Sequence, residues 1–275
     1  MLVLANGAFK SGSTWLLDII DAIGEFEEIP PDFRFPYKTQ PWLDETKIKS
    51  FMASGLPAQK DYVSKGHIFS KRTRDLLLSY DDVKVFNINR NLGDALVSHF
   101  YHLIMQGKLD EVYAKDKLDE GFRKYYWRLG RYKAQQILTY HTVWSVDAPA
   151  VYISSFERLK TDFTNEVRAI GAFLGYDLSE SDLQRIKEET SLSRMQAKTG
   201  ADQKEEHKRF RRKGKIGEWK THFDADMLKD LESIQRDGLG TFDQLRYHAL
   251  FQLLWIRRRI ADIIKFKPWR NTSRA

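Results

Sequence analysis

"MLVLANGAFKSGSTWLLDII", residues 1–20, reads as a strand, a glycine loop and a helix in immediate succession. The apolar run Leu2 to Ala5 suits a buried strand, and "WLLDII" has the character of the first turns of a helix. Between them lie Gly7, Gly12, Lys10 and the hydroxyls of Ser11, Ser13 and Thr14. Such a unit is a phosphate cradle, because the free N–H groups at a helix start point at an anion and the helix dipole adds positive charge there. Gly7 and Gly12 have P-loop spacing, but Ser13 and Thr14 follow where a nucleotide triphosphatase has Lys and Ser/Thr. The lysine has moved inside the loop, to Lys10, which leaves open the anion it serves.

At 275 residues and 42% hydrophobic content, the chain has material for one large core, with or without an appendage. The absence of cysteine excludes a disulfide framework and thiolate metal sites, and the seven histidines show no HxxxH or HExxH spacing. No metal is expected. Forty-five Lys and Arg against 38 Asp and Glu give +7, which suits an anionic ligand, a nucleic acid or an acidic membrane equally. Lys10 and Asp18 interrupt the apolar opening, so no secretory leader is read there and a cytoplasmic protein is expected.

Short apolar or β-branched runs at Leu2 to Ala5, Tyr62 to Ser64, Val83 to Ile88 and Val151 to Ser154 alternate with segments of helical period. Helices are expected at Thr14 to Ile23, Asp94 to Met105, Phe122 to Trp144, Asp162 to Leu174 and Ala225 to Arg236. This alternation predicts an α/β domain of three layers, α/β/α, around a central parallel sheet, with the P-loop-like cradle after the first strand. Residues 29–42 hold four of the seven prolines, and residues 198–215 are basic and glycine-punctuated; both are expected as surface loops.

"VFNINRNLGDALVSHFYH", residues 85–102, ends a strand near Asn89 and opens a helix with Asp94 as candidate N-cap. Arg90 then lies at the carboxyl end of a strand, where open α/β sheets bind ligands, and Ser98 follows Asp94 by one turn. The pair suits a shared anionic oxygen. It equally suits an arginine capping its own strand beside a solvated serine. In "RRKGKIGEWK", residues 211–220, Arg212, Lys213 and the amide of Gly214 suit a second phosphate, or else form a solvated or nucleic-acid-binding loop.

Together these stretches resemble the cytosolic-type sulfotransferases that use 3′-phosphoadenosine 5′-phosphosulfate (PAPS), over most of residues 2–223 and in the family's order. The family's Pro-Lys-Ser-Gly-Thr-Thr-Trp-Leu loop is matched by Phe9, Lys10, Ser11, Gly12, Ser13, Thr14, Trp15 and Leu16, losing only the proline. Its Arg-Asn-Pro-x-Asp followed by Val-Ser and aromatic-His is matched by Arg90, Asn91, Asp94, Val97, Ser98, Tyr101 and His102, with Leu92 for the proline. Its Arg-Lys-Gly-x-x-Gly-Asp-Trp-Lys reads Arg212, Lys213, Gly214, Lys215, Ile216, Gly217, Glu218, Trp219 and Lys220. Three signatures in order are far more specific than one.

The resemblance implies sulfuryl transfer from PAPS, leaving adenosine 3′,5′-bisphosphate (PAP), to a hydroxyl or amine of a small-molecule, lipid or glycan acceptor, without metal. It implies that Lys10 reaches the oxygen bridging phosphate and sulfate, that the amides of Gly12 to Thr14 and the hydroxyls of Ser13 and Thr14 hold the 5′-phosphate, and that Ser11 belongs to the same cofactor-binding loop. Arg90, Ser98, Arg212, Lys213 and Gly214 hold the 3′-phosphate, and Trp15 lies on the adenine. "YVSKGHIFS", residues 62–70, resembles the family's Lys-Thr-His-Leu segment, so Lys65 aids at the sulfate and His67 is the general base. Phe156 stands where a tyrosine normally meets adenine, and Thr190 and Leu192 where threonine and phenylalanine flank it. The family's carboxy-terminal pairing motif is not reproduced in "KTHFDADMLKDLE", residues 220–232.

A sulfotransferase domain is therefore expected over residues 1–241, followed by a basic amphipathic helix over 242–275. In the latter, Ala249, Leu253, Ile256, Ile260 and Ile263 follow a 4-3-4-3 spacing among Arg257 to Arg259, Lys265 and Lys267. That helix packs on its own domain or a twin subunit, or else lies on a membrane; it is too interrupted to span one. Two other classes fit part of the chain. A P-loop kinase shares the cradle but wants a lysine after Gly12 and carboxylates for magnesium, and a nucleic-acid-binding module accounts for the charge but not for the Lys10 loop. No nucleic acid is expected as partner.

Overall fold

The computed structural model describes residues 1–33, 45–105, 118–191, 193–194, 214–246 and 249. Five strands form one all-parallel sheet: β1 (Leu2–Gly7), β2 (Glu27–Glu28), β3 (Tyr62–Gly66), β4 (Val83–Asn89) and β5 (Val151–Ser155), in the order β2-β3-β1-β4-β5. Each of the four expected strands is present and runs one or two residues longer at its carboxyl end. Glu27–Glu28 is too short and too exposed to carry a sequence pattern, so β2 was not expected.

The layers follow from strand periodicity. Leu2, Leu4, Val83 and Val85 join one apolar cluster, while Val3, Ala5, Phe86 and Ile88 join the other, so both faces of the sheet are covered. Helices α1 (Ser13–Ile23), α8 (Phe156–Thr161), α9 (Phe163–Leu174) and α10 (Glu180–Glu189) cover the second face with Leu16, Ile19, Leu159, Val167, Ile170 and Ile186. The first face is covered by α2 (Glu45–Ala53), α4 (Lys71–Leu78), α5 (Leu92–Met105), α6 (Leu118–Tyr125), α7 (Arg131–Trp144) and α11 (Ala225–Asp237). A short α3 (Leu56–Gln59) precedes β3. This is the expected three-layer arrangement.

Several elements differ from the sequence reading. The single helix expected over 122–144 is α6 and α7 joined by a π turn, Tyr126–Gly130, which keeps the consecutive Tyr125 and Tyr126 both in the core. Helices α2, α4 and α10 were not expected, because their polar faces outweigh short apolar stripes. Helix α5 begins at Leu92 rather than at Asp94, since Asn91 Oδ1 accepts the Asp94 N–H at 3.1 Å. The expected loop over 29–42 contains a 3₁₀ turn, Pro31–Phe33; its remainder from residue 34, and residues 198–213 of the second loop, lie outside the described residues. So does most of the 242–275 extension, although residues 241–246 are helical.

Because β1 is central and the chain passes to its two sides through β3 and β4, the topological switch lies at the carboxyl ends of these three strands. The cradle, Lys65, His67 and Arg90 all emerge there.

Candidate active site

The loop after β1 is shaped by two left-handed residues. Gly12 has φ 104°, and a Cβ there would approach Phe156 Cδ2 to 2.9 Å, so glycine is required on both backbone and packing grounds. Lys10 has φ 64°, a region that residues with a Cβ occupy only when their surroundings hold them in it. Ser11 closes the loop: its hydroxyl donates to Ala8 O at 2.7 Å and its N–H to the same carbonyl at 3.2 Å. Its side chain is buried and serves the loop itself. Helix α1 then starts at Ser13 with no side-chain cap, so its first N–H groups face the cradle as donors.

Three cations from three neighbouring strand ends gather there. Lys65, paired in register with Ala5, donates from Nζ to Thr14 Oγ1 at 2.6 Å. Arg90 donates from Nη1 to Lys10 O at 3.1 Å and from Nη2 to Lys215 O at 3.2 Å, with its guanidinium 4.2 Å above the Phe156 ring. Burial first, then the charges of Lys65 and Arg90, pull the Lys10 ammonium down to about 7. Burial and two like charges together make this a position that a nearby anion would stabilise.

His67 is held from both sides by the end of β1. Its Nδ1 lies 2.5 Å from Gly7 O; a carbonyl only accepts, so Nδ1 carries the proton and the neutral ring keeps its basic lone pair on Nε2. Asn6 Oδ1 accepts the Ile68 N–H at 3.0 Å, and Asn6 Nδ2 donates to Asn87 Oδ1 at 3.2 Å. Trp144 Nε1 clamps the same segment by donating to Ile68 O at 2.6 Å. Asn6 and Asn87 were not singled out from the sequence, although two amides in otherwise apolar buried strands are the signal that finds them.

Asp94 is buried and reaches across to the third signature rather than capping its own helix. Its Oδ2 accepts the Gly217 N–H at 2.7 Å and its Oδ1 the Trp219 N–H at 3.0 Å. Trp219 packs on Gly93 so closely that a Cβ there would come within 2.8 Å of the indole. Gly214, at φ 56°, would place a Cβ 3.8 Å from Phe156 Cζ, so it joins the same group. Ser98 stands partly buried on α5. Arg212 and Lys213 lie outside the described residues, as does Leu192.

On the other side of Phe156, the Trp15 ring meets it edge-on at 5.7 Å and stacks on Phe163 at 6.1 Å. Trp15 Nε1 donates to Thr190 O at 3.0 Å, while the Thr190 hydroxyl turns back to Ile186 O at 2.7 Å. Thr190 thus meets Trp15 through its carbonyl. Lys160 Nζ lies 5.7 Å over the Trp15 ring, a second cation that the sequence reading passed over. Lys133 is another cation there: its Nζ is 5.0 Å from the Phe9 ring and donates to Gln136 Oε1 at 2.7 Å, and burial pulls its pKa down to about 8. Two other histidines lie on helices rather than at the cradle's strand ends: His99 Nδ1 on α5 is 2.8 Å from Tyr125 OH, and burial on α7 lowers the pKa of His141. A cavity of about 500 Å³ at the amino ends of the strands is lined by Asp21, Glu25, Glu27 and Asp61, four carboxylates against the one cation Lys60, a balance that repels an anionic donor.

The sequence profile of the sulfotransferase domain matches residues 3–243. The chain belongs to the sulfotransferase domain family. Among its relatives, mouse sulfotransferase 2B1 is 24% identical over 242 residues, covering 84% of this chain and 69% of the relative. The flavonol 3-sulfotransferase of Flaveria bidentis is 25% identical over 264 residues, covering 84% and 79%. Among solved structures, a mouse sulfotransferase, SULT7A1, complexed with PAP has a TM-score of 0.62 at 19% identity, over 90% of this chain and 88% of that one, and so shares the fold. In this sulfotransferase the cradle after β1, Arg90 after β4 and Lys215 of the third stretch meet at one end of the sheet.

Proposed function

We propose that this sulfotransferase moves a sulfuryl group from PAPS to a hydroxyl or amine of an acceptor, with Lys10, Lys65 and His67 at the reacting atoms. The observation that carries the proposal is the convergence of Lys10, Lys65 and Arg90 on the uncapped start of α1, where Lys10 is held near 7 by burial and like charge. A bound polyanion adds negative charge beside these three cations. When bound, PAPS supplies a phosphate–sulfate anhydride whose bridging oxygen gains charge as sulfur leaves it. Lys10 and Lys65 hold their charges where that oxygen develops its own, which is where a preplaced cation stabilises most. His67 accepts the acceptor's proton at Nε2 while its Nδ1–H stays on Gly7 O, so the ring keeps its orientation through the step.

The 5′-phosphate is assigned to the N–H groups of Gly12 to Thr14 with the hydroxyls of Ser13 and Thr14, and Ser11 shapes the loop around it. Arg90, Ser98 and Gly214, with Arg212 and Lys213, take the 3′-phosphate. Trp15 and Phe156, with Thr190 and Leu192, take the adenine; the indole pinned by Thr190 O is a rigid wall for it. The relative complexed with PAP supports this donor, and the relative named for a flavonol supports a hydroxylated small molecule as acceptor. Action in the cytosol belongs to the same proposal.

Calorimetry with PAP, AMP, ADP and ATP, with and without Mg²⁺, tests it. Each charge-assisted hydrogen bond is worth roughly 1.5–3 kcal/mol, so losing the 3′-phosphate is expected to weaken binding by about tenfold to several hundredfold. Arg90→Ala should erase most of that preference; His67→Ala should keep PAP affinity and lose transfer. Equal affinity for all four nucleotides, or binding that requires magnesium, overturns the assignment.

A further inference from the structure

Lys133 is a cation that the donor assignment leaves unused. It stands on α7 with its Nζ 5.0 Å over the Phe9 ring, and it donates to the Gln136 amide at 2.7 Å. Phe9 precedes Lys10 in the cradle and packs on the first-face apolar cluster, its ring tilted on His99 at 5.1 Å. Trp15 and Phe156, assigned to the adenine, join the second-face cluster instead. Lys133 therefore sits on the other side of the cradle from the nucleotide's base. The same helix also reaches the general base. Trp144, at its carboxyl end, donates from Nε1 to Ile68 O at 2.6 Å and so holds the segment of His67, whose Nδ1 meets Gly7 O. From Gly7 to Phe9 is two residues, at most about 7 Å of chain, so His67 and Lys133 are brought within reach of one small molecule.

We propose that Lys133 selects an acceptor that carries a carboxylate besides the hydroxyl to be sulfated, with the ammonium on the carboxylate and His67 on the hydroxyl. The inference rests on the assignment of His67 as general base. Packing alone does not call for this charge. Lys133 is half-buried, so part of it stays accessible, yet enough protein surrounds it for burial to pull the ammonium down to about 8. A group both accessible and desolvated lines a recess and not an open face. A thioether or aliphatic chain fills the space against Phe9 without desolvating an ammonium. An ammonium beside a neutral amide matches a monoanion, whereas the polyanionic donor meets Lys10, Lys65 and Arg90 grouped together. The carboxylate itself does not react. The acceptor oxygen gives its proton to His67 Nε2 as it bonds to sulfur and the anhydride S–O bond breaks, and the ion pair only holds the molecule in place.

The test sets para-hydroxybenzoate, para-hydroxyphenylacetate and para-hydroxyphenylpropanoate each against its neutral carboxamide, with tyramine as the cationic counterpart. The full chain is used at about pH 7, where Lys133 is mostly charged. Calorimetry on PAP-loaded protein measures acceptor binding, and labelled PAPS measures kcat/KM. The acid of best-fitting length is expected to exceed its amide by about tenfold to a hundredfold in both, the range of one charge-assisted hydrogen bond, and tyramine to be the weakest. Lys133→Met loses a desolvated charge and should bring that ratio to about one, while Lys133→Arg should keep most of it; PAP affinity, measured on each variant, reports an intact fold. An acid preference that vanishes in Lys133→Met although no acceptor is sulfated supports the carboxylate site and overturns the transfer reading instead. Absence of any acid preference, in binding and in transfer, overturns the inference. So does an acid preference that survives Lys133→Met, or a loss of transfer in that variant that strikes acids and amides alike.

Discussion

Binding of PAP should take up a proton, and Lys10 should be its destination. In the free protein burial, Lys65 and Arg90 hold the Lys10 ammonium at about 7. A phosphate anion beside it offsets both the burial and the repulsion, so the bound pKa rises toward its ordinary value near 10.5. At pH 8 about nine in ten free molecules then carry a neutral Lys10, and binding should draw in about 0.9 proton. At pH 6 the lysine is already charged and the uptake falls to about 0.1 from this group, partly masked by the phosphate's own ionisation near pH 6. The affinity should accordingly fall about tenfold per pH unit above pH 7 until the bound pKa is reached. Calorimetry at pH 8 in buffers of different ionisation enthalpy measures the proton count directly. Lys10→Met should bring the count to near zero and weaken binding. Equal heats in all buffers for the unaltered protein would refute the reasoning, because then Lys10 is either charged throughout or remote from the anion.

Asp94→Asn should cost about 2–4 kcal/mol in urea denaturation, since an amide presents only one acceptor to the Gly217 and Trp219 N–H groups, and PAP affinity should fall with it as the third signature loosens. An unaltered PAP affinity at lowered stability would separate Asp94 from the site. Gly93→Val should be at least as damaging, because Trp219 already lies 2.8 Å from where a Cβ would be; a Tm within about 2 °C of the parent would show that the indole yields. Lys133→Met should stabilise the protein by up to about 3 kcal/mol below pH 8. Burial lowers this lysine's folded pKa, so its charge opposes folding below about 8 and that penalty fades between 8 and 10.5; the difference between parent and variant should shrink over that window in paired denaturation curves.

The strand, loop and helix of residues 1–23 were legible because side-chain alternation, glycine placement and helical period are properties of adjacent residues. The same holds for β3, β4 and β5, and for the order of the three signatures that carries the family. Elements whose pattern is weak or brief, β2 and helices α2, α4 and α10, acquire their place from what packs on them and so were not read in advance. The chemistry of the site belongs to the tertiary structure altogether. Nothing near His67 in the chain says that Gly7 O, sixty residues away, holds its Nδ1 and so leaves the lone pair on Nε2. Asp94 looked like a local cap because a cap needs only its own helix, whereas its two acceptors are spent on amides 123 and 125 residues onward. Lys10 is an ordinary lysine in the sequence; its proton becomes labile near neutral pH only because folding removes water from it and brings Lys65 and Arg90 beside it, an energy that depends on distances between strands and not on spacing along one.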